Sequence, residues 1–271
     1  VPQIYLSNMR AFIGHCWKHL PENSLFDLPQ FDIDKKFSFY ESGIVTPVEL
    51  LNKIPETELN QDLLDAQIKG KEYIDKEKLQ SFLPAEESKA FIYILFNRPA
   101  LPSIKGTRPY QLIPLAASVM QEDGNEVSKV FTNRMNAFSA CDNFLGQTLK
   151  GVSRIINYDQ PEIAEFLSAA ETDLETEQLH ITNMHELLLN VFYYHPQIKS
   201  DHSLYSIAKH ILSKEKQLFK NDIDALMAVQ NKMSAENEQI SEEDRQKLEK
   251  YVKQQNNIIM EFYQFLQEKS L

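Results

Sequence analysis

The stretch that decides the fold runs from Ala90 to Tyr110 and reads AFIYILFNRPALPSIKGTRPY. It begins as a continuous apolar run, which we interpret as a core helix. The residues Asn97-Arg98-Pro99-Ala100 then predict a turn, because proline prevents the helix from continuing. The stretch therefore ends by presenting two arginines, Arg98 and Arg108, each followed by a proline.

Composition favours long helices over the many short turns of an all-β protein. The chain has 271 residues with only 7 glycines and 12 prolines, and Leu, Lys, Glu, Gln and Ala are abundant. This length supports one large or two medium domains. We expect an all-α fold, an elongated multi-helix bundle with a short irregular or β-containing insertion near residues 21–60.

Charge and cysteine content limit the partners and the compartment. A net charge of -11 argues against a general nucleic-acid or membrane-surface binder, since phosphate neutralisation needs a basic excess. Cys16 and Cys141 form no CxxC or zinc-finger spacing and cannot make a disulfide framework. No run approaches the roughly 18 apolar residues of a membrane span. We expect a cytoplasmic protein with no cofactor, no nucleic-acid partner and no membrane insertion.

Helical patterns predict three regions: 1–84 with an N-terminal helix at 3–19, an irregular part and further helices; 85–220 as a helical core; and 221–271 as a C-terminal hairpin or extension. Within the irregular part, Thr46-Pro47-Val48-Glu49 predicts a helix start with an N-cap and a first-turn proline. The expected later helices are 59–68, 74–83, 85–97, 109–121, 124–157, a helix from Pro161, 180–195, 201–219 and 221–233.

The C-terminal stretch has the clearest helical pattern. Ser241-Glu242-Glu243-Asp244 resembles a capping box, and a narrow apolar stripe follows at Leu248, Val252, Ile259, Phe262 and Leu266. Such a helix packs on its own domain or mediates self-association through residues 241–267.

Histidines supply two candidate metal clusters, and neither has the spacing of a known site. His15 and His19 lie four residues apart but lack the HExxH pattern. The second group has no zinc signature and comprises His180, His185, His195, His202 and His210, with Glu186 or Asp201 nearby. We expect no metal. Motifs of serine hydrolases, P-loop NTPases and dinucleotide enzymes are also missing from the sequence.

The ordered series from residue 85 to 210 resembles the central part of Ras-type GTPase-activating domains. The matching pieces are the apolar run into Asn97-Arg98-Pro99-Ala100-Leu101-Pro102, then RPYQLIPLA at 108–116, ASVMQEDGN at 117–125 and FTNRMNAF at 131–138. ITNMHELLLNVFYYH at 181–195 is similar to a segment of IQGAP-type GAP-related domains, and the opening SNMRAF to a helix upstream in that group. The resemblance implies a helical small-GTPase-binding domain.

Departures from that family concern its catalytic arginines. Active members carry an arginine before the Asn-Pro-Ala turn, where this chain has Tyr93, Ile94 and Leu95, and Arg98 lies inside the turn instead. The family's arginine finger, which is worth about 10³ to 10⁵ in rate, precedes the turn by roughly a hundred residues, and Arg10 does not lie in a similar loop. The resemblance therefore implies binding of a Ras-superfamily GTPase with weak or no activation.

Under this interpretation the turn residues Asn97, Pro99 and Ala100 close a groove, while Arg98 and Arg108 donate to an acidic switch region. Arg134 and Asn136 would line the same groove. The alternative for both turn arginines is a surface ion pair with a local Glu or Asp. Other functions stay open: a helical effector, a guanine-nucleotide-exchange module, an unrelated helical interaction protein, or an enzyme that uses the second histidine group.

Overall fold

The computed structural model describes residues 18–21, 23–55, 59–83, 88–101, 106–131, 136–169, 179–199, 201–230 and 240–271. The predicted helix at 3–19 falls almost entirely outside these residues. In chain order the elements are a short 3-10 helix at Leu25–Asp27, then α1 Ile33–Glu41, α2 Pro47–Lys53, α3 Gln61–Lys69, β1 Tyr73–Ile74, α4 Lys76–Phe82, β2 Lys89–Asn97, β3 Ile113–Gln121, β4 Glu126–Val130, α5 Ala137–Thr148, β5 Arg154–Asn157, α6 Glu162–Ala169, β6 His180–Asn183, α7 His185–Leu189, β7 Tyr193–Tyr194, α8 Leu204–His210, α9 Asp222–Gln230 and α10 Glu242–Ser270.

The chain divides into two compact units. The first comprises residues 1–79 and 187–202, and the second comprises residues 80–186 and 203–271. No helix in the described part of the chain combines the length and apolar content needed to cross a bilayer.

The first unit is built from short capped helices around an apolar cluster. Its buried residues come from the 3-10 helix, α1, α2 and α3 and include Leu25, Phe26, Phe37, Leu50 and Leu64. The predicted start of α2 is confirmed, because Thr46 and Glu49 form a reciprocal capping box and Pro47 occupies the first turn. No strand occurs among the described residues of 21–60, so the expectation of β structure there is wrong for that part of the chain.

A mixed sheet forms the centre of the second unit. Its strands lie in the order β4-β3-β2-β5-β6 among the described residues. β2 pairs antiparallel with β3, and β3 pairs antiparallel with β4. On the other side, β2–β5 and β5–β6 are parallel. The central strand β2 therefore lies between one antiparallel and one parallel neighbour.

Helices cover both faces of this sheet. Ala90, Ile92 and Ile94 of β2 belong to a core cluster with buried residues of α5 and α6. The alternate residues of β2 face α10, since the rings of Phe91 and Tyr263 lie 5.4 Å apart. A strand covered on both faces has no polar side, which explains why β2 is almost continuously apolar.

The predicted all-α fold is wrong, and so is the helical bundle that the GAP resemblance implies. The helices expected at 85–97 and 109–121 are the strands β2 and β3, and the long helix expected at 124–157 divides into β4, α5 and β5. A run buried on both faces lacks the period-2 alternation that identifies most strands. Its β-branched and aromatic residues are the remaining indication of a strand.

The C-terminal helix α10 is confirmed, with Ser241 accepting a hydrogen bond from the backbone N–H of Asp244 at 3.1 Å. Its predicted apolar stripe is buried on the sheet of its own unit, with Leu248, Val252 and Phe262 fully enclosed. Self-association through residues 241–267 stays a prediction, and it would have to use the polar outer face of this helix.

Candidate functional site

A crevice opens at the carboxyl ends of the parallel strands β2 and β5. It encloses a cavity of about 720 Å³. Its walls come from the end of β2 and the loop after it, from the residues that follow β5, from the start of α8, from α9 and the residues before it, and from one face of α10. Ligands of open α/β sheets bind outside the carboxyl ends of the strands, so the topology alone makes this the place to look for a site.

The side chain of Gln160 lies between β2 and β5 where the two strands separate. β2 and β5 pair only as far as Phe91 and Ile156. Beyond that point the Gln160 amide replaces the missing strand, because Oε1 accepts from the Ile94 N–H at 3.0 Å and Nε2 donates to the Ile94 carbonyl at 2.6 Å. One side chain thus satisfies both backbone groups where the two strands separate.

Two tyrosines and an aspartate form the floor of the crevice. Tyr93 of β2 and Tyr251 of α10 both donate their phenol protons to Oδ1 of Asp222, the latter at 2.8 Å. Burial raises the pKa of Asp222, the two phenol hydrogen bonds oppose this shift, and the charge of Glu162 adds to it. Burial also raises the pKa of both tyrosines. The second carboxylate oxygen, Oδ2, has no hydrogen-bond partner among the described residues.

Gln255 of α10 adds an amide to the same floor. Its side chain is only 4% exposed and lines the cavity, yet it has no hydrogen-bond partner in the described part of the chain. The next residue, Asn256, is also buried but donates to the Phe91 carbonyl and to Ser118 Oγ, both at 3.1 Å. Asn256 Oδ1 is buried without a hydrogen-bond partner among the described residues, whereas the Gln255 amide is not sealed from the cavity and can pair with water or a ligand there.

The rim of the crevice is mixed in character. Arg98 forms an ion pair with Glu162 while its side chain remains 50% exposed. Lys220 Nζ lies 5.9 Å from the centre of the Tyr205 ring. Ile223 and Met227 on α9 are exposed at the opening. The rim therefore offers apolar surface beside charged groups.

One histidine of the second predicted group contacts the crevice wall. His185 Nδ1 lies 2.9 Å from Oδ1 of Asp159, a residue that lines the cavity in a left-handed conformation with φ of 52°. Asn183 at the end of β6 accepts from the backbone N–H of both residues, at 2.8 Å and 3.1 Å. Within the described residues, His, Cys, Asp and Glu side chains form no group of three or more that could hold a metal ion.

A second cavity of about 560 Å³ lies between the loop after β2 and the helices α5 and α6. Its walls include the rings of Tyr110, Phe138 and Phe166. Arg98 and Glu162 line both cavities, so their ion pair lies where the two spaces meet.

The structure brings four of the residues predicted from sequence into the crevice wall: Asn97, Arg98, Pro99 and Ala100. Arg98 has a local acidic partner, which was the alternative to a functional role. Arg108 and Asn136 line neither cavity. Arg108 is exposed, and its backbone N–H donates to Gln111 Oε1 at 3.0 Å. Asn136 is exposed just before α5. Arg134 lies outside the described residues.

Sequence reasoning missed the crevice floor. Tyr93 is a hydroxyl-bearing residue within an apolar run, and the pair Gln255-Asn256 interrupts the apolar stripe of α10. A polar residue at a core position is the signal that would have marked both places. Asp222 and Gln160 follow loops of no recognisable motif, and only the fold brings them to the same crevice.

Comparisons with known proteins identify no family. No family model matches the chain, and no curated protein matches it. One similar solved structure is the family B DNA polymerase from the hyperthermophilic archaeon Pyrobaculum calidifontis, at 11% identity and a TM-score of 0.45. The similarity covers 68% of this chain and 25% of the polymerase chain. Similarity at this level assigns neither a fold nor a function.

Proposed function

We propose that the second unit is a ligand-binding domain and that the crevice at the carboxyl ends of β2 and β5 takes a small polar molecule. The observation that carries the proposal is the Gln255 amide, which is buried, lacks a partner among the described residues and faces the cavity. The amide atoms of Gln255 have no partner within the described part of the chain and are not sealed from solvent, so water or a ligand in the cavity must pair with them.

Size and lining support a small ligand. The volume of about 720 Å³ falls within the range of roughly 300 to 1,000 Å³ typical of small-molecule pockets. Such pockets combine apolar walls with a few convergent polar groups, and here Phe96 and Leu226 accompany Asp222, Gln160 and Gln255.

A fragment screen read by amide NMR tests the proposal directly. The crevice contains four side-chain amides, those of Asn97, Gln160, Asn221 and Gln255, and their NH₂ resonances report on a ligand at this place. We expect a subset of polar fragments to shift the Gln255 resonance first and to bind with affinities lost in Gln255→Leu. Gln246→Leu on the exposed start of α10 is the matched control.

Fragments that bind only elsewhere on the second unit, or that bind equally well to Gln255→Leu, would contradict a ligand site in the crevice. Binding that responds to Gln255→Leu and not to Gln246→Leu supports it.

A small GTPase, the partner predicted from the sequence, is the second candidate. One observation favours a protein partner: the loop after β2 exposes Leu101 and Tyr110, at 84% and 68%, together with Arg108. Large exposed apolar residues beside an arginine are typical of protein interfaces. The test is a titration against GTP-loaded Ras, Rho and Rab proteins, with hydrolysis and exchange assays beside it. Absence of binding to all three classes would exclude this candidate.

The cytoplasmic location also stays a proposal. Fractionation of the source cells with antibodies against the second unit would test it, and recovery outside the cytoplasmic fraction would contradict it.

A further inference from the structure

We infer that the ligand of the crevice carries a planar, positively charged nitrogen group, a guanidinium or an amidinium; this inference rests on the proposed function of the crevice. It depends on the hydrogen-bonding capacity of the floor, on its charge and on the shape of its opening.

The floor offers hydrogen-bond acceptors at its centre. Each phenol has one proton, and Tyr93 and Tyr251 both direct theirs to Oδ1 of Asp222. Oδ2 of Asp222 is left as an acceptor without a partner among the described residues. Water can donate to Oδ2 when no ligand is bound, and a ligand that displaces this water must bring N–H or O–H donors to the same point.

The Gln255 amide lines the same cavity and supplies a second acceptor, its Oε1. Two acceptors on separate side chains suit a ligand with two diverging N–H groups in one plane. Guanidinium and amidinium groups have this arrangement, and their hydrogen bonds to carboxylates are charge-assisted and strong.

The charge of the lining favours a cation. Of the described lining residues, Asp159, Glu162 and Asp222 are carboxylates, and they outnumber the cations Arg98 and Lys220. Arg98 is occupied by Glu162, and Lys220 is exposed near the Tyr205 ring. A ligand cation beside Asp222 would also favour the ionised carboxylate that burial disfavours.

The opening of the crevice accommodates an apolar body behind the charged group. Ile223 and Met227 lie one helical turn apart on α9, and both are exposed where they line the cavity. Contact with a ring or an alkyl chain would remove this apolar surface from water. The ligand class is therefore a guanidinium or amidinium on an apolar carrier.

Benzamidine and benzamide form a matched pair of probes, because they share shape and differ in charge and in one NH₂ group, which replaces the carbonyl oxygen of benzamide. We expect the dissociation constant of benzamidine, measured by calorimetry, to be at least about tenfold lower than that of benzamide. Agmatine represents a free small molecule as the natural ligand, and a short arginine-containing peptide represents an arginine side chain of a protein. Tight binding of either probe supports the inference.

Variants locate the binding. Asp222→Asn keeps an acceptor for both tyrosines but removes the charge, and we expect it to weaken benzamidine at least about tenfold while benzamide changes less than about twofold. Asp123→Asn removes a carboxylate from the exposed turn between β3 and β4 and serves as the control. If Asp222→Asn does not fold, Gln255→Glu provides the second measurement, since an added acceptor charge should tighten benzamidine severalfold.

The outcomes separate this inference from the proposed function. Benzamide or anionic fragments that shift the Gln255 resonance while benzamidine does not would overturn the ligand class and leave the crevice as a binding site. Benzamidine bound equally by wild type, Asp222→Asn and Gln255→Glu would also overturn it. If no fragment of any charge responds to the crevice variants, the proposed function itself is wrong.

Discussion

Replacing Gln160 should separate the two strands that frame the crevice. Gln160→Met keeps the length and approximate volume of the side chain but removes both hydrogen bonds to Ile94. Both residues are buried, so the backbone N–H and C=O of Ile94 would lose their partners in the interior. Leaving a buried polar group unsatisfied costs about 1–3 kcal/mol, which predicts a loss of about 2–6 kcal/mol for the pair. Water entering from the cavity would move the loss toward the lower value.

Gln160→Glu should make the stability of this contact depend on pH. A protonated carboxyl can still accept from the Ile94 N–H and donate to its carbonyl, whereas an ionised one places charge against that carbonyl. The folded-state pKa of the introduced carboxyl should therefore rise above the ordinary glutamate value of about 4.3. The variant should be close to wild type below that pH and should lose stability as pH rises through its folded pKa.

Native-state hydrogen exchange at the Ile94 amide is the appropriate assay, because a chain of two compact units does not have to unfold in one step. A loss of about 2 kcal/mol or more corresponds to exchange faster by about 25-fold or more. Gln246→Met, on the exposed side of α10 near its start, is the control and should change stability by less than about 0.5 kcal/mol. Exchange at Ile94 that is unchanged in Gln160→Met would refute the view that this amide substitutes for a strand.

Three further changes test the floor, the rim and the core. The raised pKa of Asp222 means that the folded state holds this proton more tightly than the unfolded state does. Wild type should therefore lose stability relative to Asp222→Asn as pH rises from about 3.8 through the folded pKa. Urea midpoints of both proteins across this pH window measure the difference in stability, and a difference that stays constant with pH would contradict the prediction. Arg98→Ala should cost less than about 1 kcal/mol in thermal unfolding, because its ion pair with Glu162 is half exposed; a larger loss would show that the pair supports the fold. Burial raises the pKa of the Cys141 thiol, so in a Cys16→Ser background this thiol should react with an alkylating reagent only on unfolding, and rapid labelling of the folded protein would exclude that placement.

Local signals in the sequence predicted the helix ends better than the fold. The caps at Thr46 and Ser241 depend on residues three apart, and both are present in the structure. Whether the apolar run of β2 forms a strand or a helix depends on the elements that pack against it. These elements are α5, α6 and α10, which come from distant parts of the chain. Because both faces are covered, the run lacks the alternation that would show a strand, and the helical composition of the rest of the chain favours the wrong element.

The sequence predicted only the part of the candidate site that consists of consecutive residues in one segment. Asn97 to Ala100 end β2 and begin the loop after it, a break that Pro99 makes visible in the sequence, and these residues line the crevice. The floor joins Tyr93, Asp222 and Gln255 from three distant segments, and no spacing in the sequence connects them. Tyr93 and Gln255 share one feature, a polar side chain at a position that the apolar pattern assigns to the core.

The neighbours Gln255 and Asn256 show how a structural role can be separated from a functional one on the same helix. Both side chains are buried on the inner face of α10, where a leucine would bury more apolar surface at no cost in unpaired groups. Asn256 has a structural explanation, because it bonds the Phe91 carbonyl of β2 and Ser118 of β3 and so fixes the helix across the sheet. Gln255 makes no such bond in the described part of the chain, and it faces the open space that the topology places at the carboxyl ends of β2 and β5. Packing therefore accounts for the Asn256 amide nitrogen, although Asn256 Oδ1 is buried without a hydrogen-bond partner among the described residues. For Gln255 we propose that the partner is a ligand in the crevice.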